Sequence, residues 1–466
     1  MTTTPDGQLD PPVSPSVTSS SGPTALLRRL HFYAGVFVGP FLLIAAVSGG
    51  LYAIAPSIEQ LVYRDYLYVE PAGESRPVAE QIRAAQAVRP DLTVTAVRPA
   101  GQPGDTTRVL FDDPSLGESE RRAVFVDPAT AHPVGDLTVY GSSGALPVRT
   151  WIDHLHRNLH LGEPGRVYSE LAASWLWVIA LAGVCLWVVR RRASFARLFT
   201  VDREARGRSR TLNWHGVVGL WIAGGLLFLS ATGLTWSRYA GDNIAEVRAA
   251  LSWTTPAVST TLSGPAAMAS HDHHGTHPEP GGGAPRVDEV DRVLRAAQAA
   301  GVGGDVEVSI PDDADTAFTV AQTREPWVLS NNAVAIDGTT GRVTDTSWFA
   351  DWPLAAKLAA WGIQLHMGLL FGLVNQLALA ALAVALVTVI VRGYLMWWRR
   401  RPTGAGRPPA RGALRGMPPM AVAGLAVAAV AVGWFMPVLG LSLLAFILVD
   451  GAIGVAQRRN VFGGAL

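Results

Sequence analysis

Uncharged apolar runs long enough to cross a bilayer occur at Phe32–Ala55, Leu171–Val189, Trp214–Ser237 and Met367–Val391. A further run, Met417–Val449, exceeds one span and is broken around Gly433 and Pro437, which predicts a tight hairpin of two short helices. Two long segments, 56–150 and 238–352, instead mix strand-like alternation with one helix-like run each. Residues 1–24 are rich in Pro, Ser and Thr and lack an apolar face, so a disordered tail is expected there rather than a signal peptide.

Arginine placement predicts orientation. Arg190, Arg191, Arg192, Arg197, Arg203, Arg206, Arg208 and Arg210 crowd one connection; Arg399, Arg400, Arg401, Arg407, Arg411 and Arg415 crowd another; Arg458 and Arg459 follow the last run. The positive-inside rule then puts both termini in the cytoplasm and both long segments outside. The predicted order is spans at 25–55, 151–192, 213–237 and 353–398, a hairpin at 417–456, cytoplasmic loops at 193–212 and 399–416, and a cytoplasmic tail at 457–466. That is six spans in a multi-pass α-helical integral membrane protein of the cytoplasmic membrane, with two small external α+β domains.

Composition agrees. Of 466 residues, 49% are hydrophobic and 16% charged, against roughly a quarter charged in soluble proteins. A net charge of +1 excludes a globally basic nucleic-acid binder. One cysteine, Cys185, excludes a disulfide framework, a zinc ribbon, a cysteine-ligated iron–sulfur cluster and thioether-linked haem.

The chain also resembles itself. Laying the first span on the third matches His31 with His215, Gly35 with Gly219, Leu42-Leu43 with Leu226-Leu227, and Ser48-Gly49 with Thr232-Gly233. A second register matches Leu155-His156 with Leu365-His366, Gly162 with Gly372, Gly183 with Gly393, and Trp187 with Trp397. In the external segments it matches Asp127-Pro-Ala-Thr with Asp337-Gly-Thr-Thr. A four-helix core made by tandem duplication is expected.

Intramembrane histidine is costly and commonly faces a cofactor, a cavity or a partner, although an isolated one at the interface often only caps or snorkels. Here His31 and His215 open spans one and three, whereas His156 and His366 precede spans two and four. About 39 Å of helix separates His366 from Arg392, so the two levels lie near opposite bilayer faces. Two histidines on different helices at one level suit a non-covalent b-type haem, and two bis-histidine haems are expected. Gly35, Gly39, Gly219 and Ala223 on the same helix faces leave room for a flat macrocycle, and equally suit close helix packing. His160 shares a face with His156, but the duplication selects His156 and leaves His160 as the substitute. The unrepeated run with His271, His273, His274 and His277 suits opportunistic metal binding or a flexible polar insertion. Asp450 reads as interfacial.

With Leu30-His31, Ser48-Gly49, Leu155-His156, Gly162, Gly165-Arg166, His215, Thr232-Gly233 and His366-x-Gly368-x2-Phe371-Gly372 in order, the sequence resembles the PepSY-associated transmembrane family. That family includes iron-regulated inner-membrane proteins and siderophore reductases. The resemblance implies external PepSY-type domains and haem b held by His31, His215, His156 and His366. The expected function is then transmembrane electron transfer that reduces a ferric siderophore or another metal complex at the outer face. No G-x-G-x-x-G fingerprint occurs in the short cytoplasmic connections, so quinol or a separate reductase is the expected donor. The rivals are a non-enzymatic regulator binding a peptide or peptidase, and a copper- or iron-handling membrane protein.

Overall fold

The computed structural model describes residues 22–262, 286–399, 414 and 417–463, with side chains to 455. The first span is two helices, α1 (Gly22–Phe37) and α2 (Gly39–Val62), joined at Val38. The break follows from Gly39-Pro40. Proline has no N–H for the carbonyl four residues back, that of Val36, and the Tyr394 hydroxyl donates to that carbonyl instead, at 2.7 Å. A Cβ on Gly39 would lie 2.8 Å from that hydroxyl, so glycine is what lets Tyr394 reach in. After α2 come α3 (Val78–Val88), α4 (Pro147–Asn158), α5 (Glu163–Arg191) and α6 (Gly207–Leu234). Then follow α7 (Val290–Ala299), α8 (Leu354–His366) and α9 (Gly372–Trp398).

Helices α2, α5, α6 and α9 are long and apolar enough to span a membrane. The expected hairpin is present as α10 (Pro419–Phe435) and α11 (Pro437–Gly463), turning at Met436. Its arms cross so closely that a Cβ on Gly433 would lie 2.9 Å from the Gly440 Cα. Of the six expected spans, five meet the length for a crossing, because α10 has 17 residues. The hairpin is tied to the bundle by Trp175 Nε1, which donates to Ser442 Oγ at 2.9 Å. Asp450, expected to be merely interfacial, is ion-paired with the buried Arg29 of α1.

Outside the bundle the chain forms β1 (Thr93–Arg98), β2 (Thr107–Asp112), β3 (Glu120–Val126) and β4 (Pro133–Tyr140). The second half repeats this with β5 (Val306–Ser309), β6 (Phe318–Gln322), β7 (Ala333–Ile336) and β8 (Val343–Ser347). The Asp127 and Asp337 motifs make the same turn. Each Asp accepts from the N–H two residues on at 2.9 Å and from a Thr hydroxyl at 2.6 Å. Each turn also sits beside a register shift, at Phe125/Val126 and Ala335/Ile336.

The expectation of two separate external domains is corrected. Strands β1 and β5 pair antiparallel, giving one eight-stranded sheet in the order β4-β3-β2-β1-β5-β6-β7-β8. One core runs under both halves, where Ile82 of α3 and Val109 share a cluster with Val293 of α7 and Phe318.

Glu307 of β5 fastens the join. Arg98 Nε of β1 donates to it at 2.6 Å and Arg121 Nη1 of β3 at 3.0 Å. Burial would push this carboxyl up, but the two guanidinium groups outweigh it and hold it at about 2. Its contribution to stability is therefore complete above the ordinary carboxyl value near 4.5 and is lost as pH falls towards about 2. Glu307→Gln, which strands two half-buried cations, is expected to destabilise the sheet by about 3–5 kcal/mol. A lowered thermal midpoint at pH 7, with the gap to wild type closing as pH falls towards 2, is the result to look for. An unchanged midpoint at pH 7 would show that the join does not depend on this carboxylate.

Candidate functional site

At one level of the bundle, His31 of α1 faces His215 of α6. Their ring centres are 6.1 Å apart and the planes nearly perpendicular, at 77°. His31 Nδ1 lies 3.0 Å from the Ile179 carbonyl of α5, and His215 Nδ1 lies 2.9 Å from the Val389 carbonyl of α9. A carbonyl only accepts, so Nδ1 is the protonated nitrogen in both rings and each Nε2 keeps its lone pair. Gly183 and Gly393 stand one turn after those carbonyls and open them to a side chain from another helix. A Cβ on Gly183 would come within 2.9 Å of His31 Cε1, and one on Gly393 within 3.7 Å of His215 Cε1.

The second level repeats the logic with hydroxyls. His156 Nδ1 is 3.0 Å from Ser48 Oγ, whose own O–H donates to the Ile44 carbonyl at 2.8 Å. His366 Nδ1 is 2.7 Å from Thr232 Oγ1, which donates to the Phe228 carbonyl at 2.8 Å. Each hydroxyl proton is committed, so the oxygen accepts from Nδ1–H and Nε2 again stays free. Gly49 and Gly233 lie against these rings, with would-be Cβ contacts to Cε1 of 2.9 and 3.7 Å.

Local sequence dictates the placement. Helix α4 ends at Asn158, Leu159 and His160 take the left-handed conformation at φ 54° and 56°, and Gly162 follows at φ 63°. A Cβ on Gly165 would collide with the Asn158 carbonyl at 1.7 Å, so only glycine allows α5 to start so close to α4. His156 and His366 thus sit on short helices before the span rather than within it. This turn carries His160 away from His156: it is exposed, against Trp151 and His154.

From His31 to Ser48, as from His215 to Thr232, is about 25 Å of helix, close to the thickness of a hydrocarbon core. Among the described residues no group of three or more His, Cys, Asp or Glu converges on a point. Two imidazoles alone are a poor cage for a bare ion but would suffice to hold an iron already bound in a macrocycle. With metal–imidazole bonds of about 2.0 Å and ring centres roughly 1.2 Å further back, two rings sharing one metal stand about 6.4 Å apart. His31 and His215, at 6.1 Å, fit. Where a Cβ would lie on Gly35 or Gly219, one turn beyond His31 and His215, nothing comes within 4 Å. Gly39, expected to make the same room, is filled by Tyr394.

Of the residues singled out from sequence, His31 and His215 are brought face to face, His156 and His366 come within electrostatic reach of each other, and His160 joins neither pair. His271, His273, His274 and His277 lie outside the described residues. Four features were not foreseen: the Ser48 and Thr232 acceptors, the two backbone carbonyls, the glycines that expose them, and the buried Arg149 near Tyr52. Ser48, Thr232 and the glycines all occupy matched positions, so the signal was present; Arg149 has no counterpart.

No curated protein matches the chain. The model of the PepSY-associated TM region matches residues 28–400, and the chain belongs to that family.

Proposed function

We propose that this membrane protein is a two-haem electron conduit, each b-type haem held between the Nε2 atoms of one histidine pair. The observation that carries the reading is that all four histidines commit Nδ1–H to an acceptor and so keep the Nε2 lone pair available, as metal-ligating imidazoles do. Its repetition in both halves supports a tandem duplication. Bound haem would supply one-electron chemistry, and the chain's own part is ligation, spacing and exclusion of water.

By the positive-inside rule, the arginine-rich connections and the termini lie in the cytoplasm and the eight-stranded sheet outside, at the cytoplasmic membrane. Electrons then enter at His31 and His215 from quinol or a separate reductase. They leave beside His156 and His366 to a ferric siderophore or another metal complex. Purified protein is expected to yield close to two haems per chain by pyridine haemochrome assay, extractable by acid–acetone because Cys185 forms no thioether. A folded but colourless preparation from haem-supplemented cells would reject the reading.

A further inference from the structure

Each histidine pair has a cation in its neighbourhood: Arg392, over the Trp214 ring, acts on His215, and a buried arginine stands on the helix that carries His156. Arg149 stands two turns before His156 on the same face of α4, about 10.5 Å along the axis. It is only 4% exposed, and its Nε and Nη2 have no hydrogen-bond partner among the described residues. Its ion-pair partner Glu59 is 3.7 Å from Nη1, and Glu59 Oε2 already accepts the Leu146 N–H at 2.6 Å. Asp153, one turn on along α4, also acts on Arg149, yet neither carboxylate meets Nε or Nη2, and a buried guanidinium with two idle donors is a costly arrangement unless a further acceptor completes it.

The surroundings place that acceptor beside the outer pair. Tyr52 lies within electrostatic reach of both Arg149 and Arg324, and its ring runs nearly parallel to that of His156, with centres 6.3 Å apart. Arg324, exposed in the connection after β6, acts on Arg149 and has the weak acceptor Met367 Sδ at 3.2 Å from Nη1. Two guanidinium groups that both act on Tyr52, whose ring lies against His156, suit a carboxylate reaching that edge, since a carboxylate accepts forked donors.

We propose that Arg149, assisted by Arg324, binds a propionate carboxylate of the haem held by His156 and His366. The inference rests on the two-haem reading and names the residue that orients the outer haem. A cation at this edge also favours the reduced iron, which carries one positive charge fewer, so Arg149 sets the outer potential above what the histidines alone would give.

The test is a chemical double-mutant cycle in a His31→Ala background, where only the outer pair remains. Apoprotein with and without Arg149→Gln is titrated with haem b and with its dimethyl ester, following the Soret band. Arg149→Gln is expected to weaken haem b about tenfold and to leave ester affinity unchanged, with Arg149→Lys in between. The outer midpoint potential should fall, a tenfold change in the ratio of oxidised to reduced haem being about 59 mV. The ester on unsubstituted Arg149 probes the same contact without altering the fold. Equal losses with both haems, or equal affinity of acid and ester for Arg149 protein, would overturn the inference and leave the two-haem reading standing. No binding of either haem, in this background or in wild type, would overturn both.

Discussion

Alanine at His31 or His215 is expected to halve the haem content, from close to two per chain to close to one, and to remove the same spectral component in either variant. Alanine at His156 or His366 should remove the other component. The rings of His31 and His215 face each other and His156 acts on His366, and a haem that each pair would hold loses half of its protein ligands when one imidazole is removed. Pyridine haemochrome assay with low-temperature difference spectra reads both outcomes. His160→Ala should retain both components, because His160 sits on the exposed turn after α4. Loss of a haem from His160→Ala together with its retention in His156→Ala would overturn the pairing.

The glycines give a second, asymmetric expectation. Gly49→Ala and Gly183→Ala each place a Cβ 2.9 Å from a ligand ring, where something must move, whereas Gly233→Ala and Gly393→Ala meet their rings at an ordinary 3.7 Å. Overpacking of this kind costs about 1–3 kcal/mol, or roughly a 5- to 150-fold loss of affinity, against little for the other two. Gly49→Ala should weaken the component that His156→Ala abolishes, and Gly183→Ala the one that His31→Ala abolishes. Haem titration of the four apoproteins is the measurement. Equal effects at all four positions would show that the rings, once loaded, do not sit where Nδ1 holds them here.

Much of the bundle was legible because lipid imposes a long uncharged run on every crossing, and Phe32–Ala55 or Leu171–Val189 announce themselves on that ground alone. What the runs hid was the backbone inside them. Gly39-Pro40 bends the first span, and the 159–162 and 367–371 turns detach α4 and α8 from the spans they precede. The histidine pairs were legible through repetition, and so were Ser48 and Thr232. The Ile179 and Val389 carbonyls were not, since a carbonyl has no signature beyond the glycine one turn later. Arg149 escaped for the opposite reason: it breaks the repeat. The fused sheet could not be read at all. Periodicity gives each strand its faces but not which edge meets which, and β5, at the join, has only 4 residues.

The β1–β5 pairing bears on how the molecule is made. During synthesis β1 emerges long before the strand that covers it, with two membrane crossings, α5 and α6, translated in between. At about 5–20 residues per second, roughly 10–40 s pass before β5 appears. For that interval the edge of a nascent half-sheet, with the core-facing side chains of Val94 and Val97, stands open to any passing strand. Assembly of this protein should therefore depend on a holding factor outside the membrane, or on the pace of translation, more than its mature stability suggests.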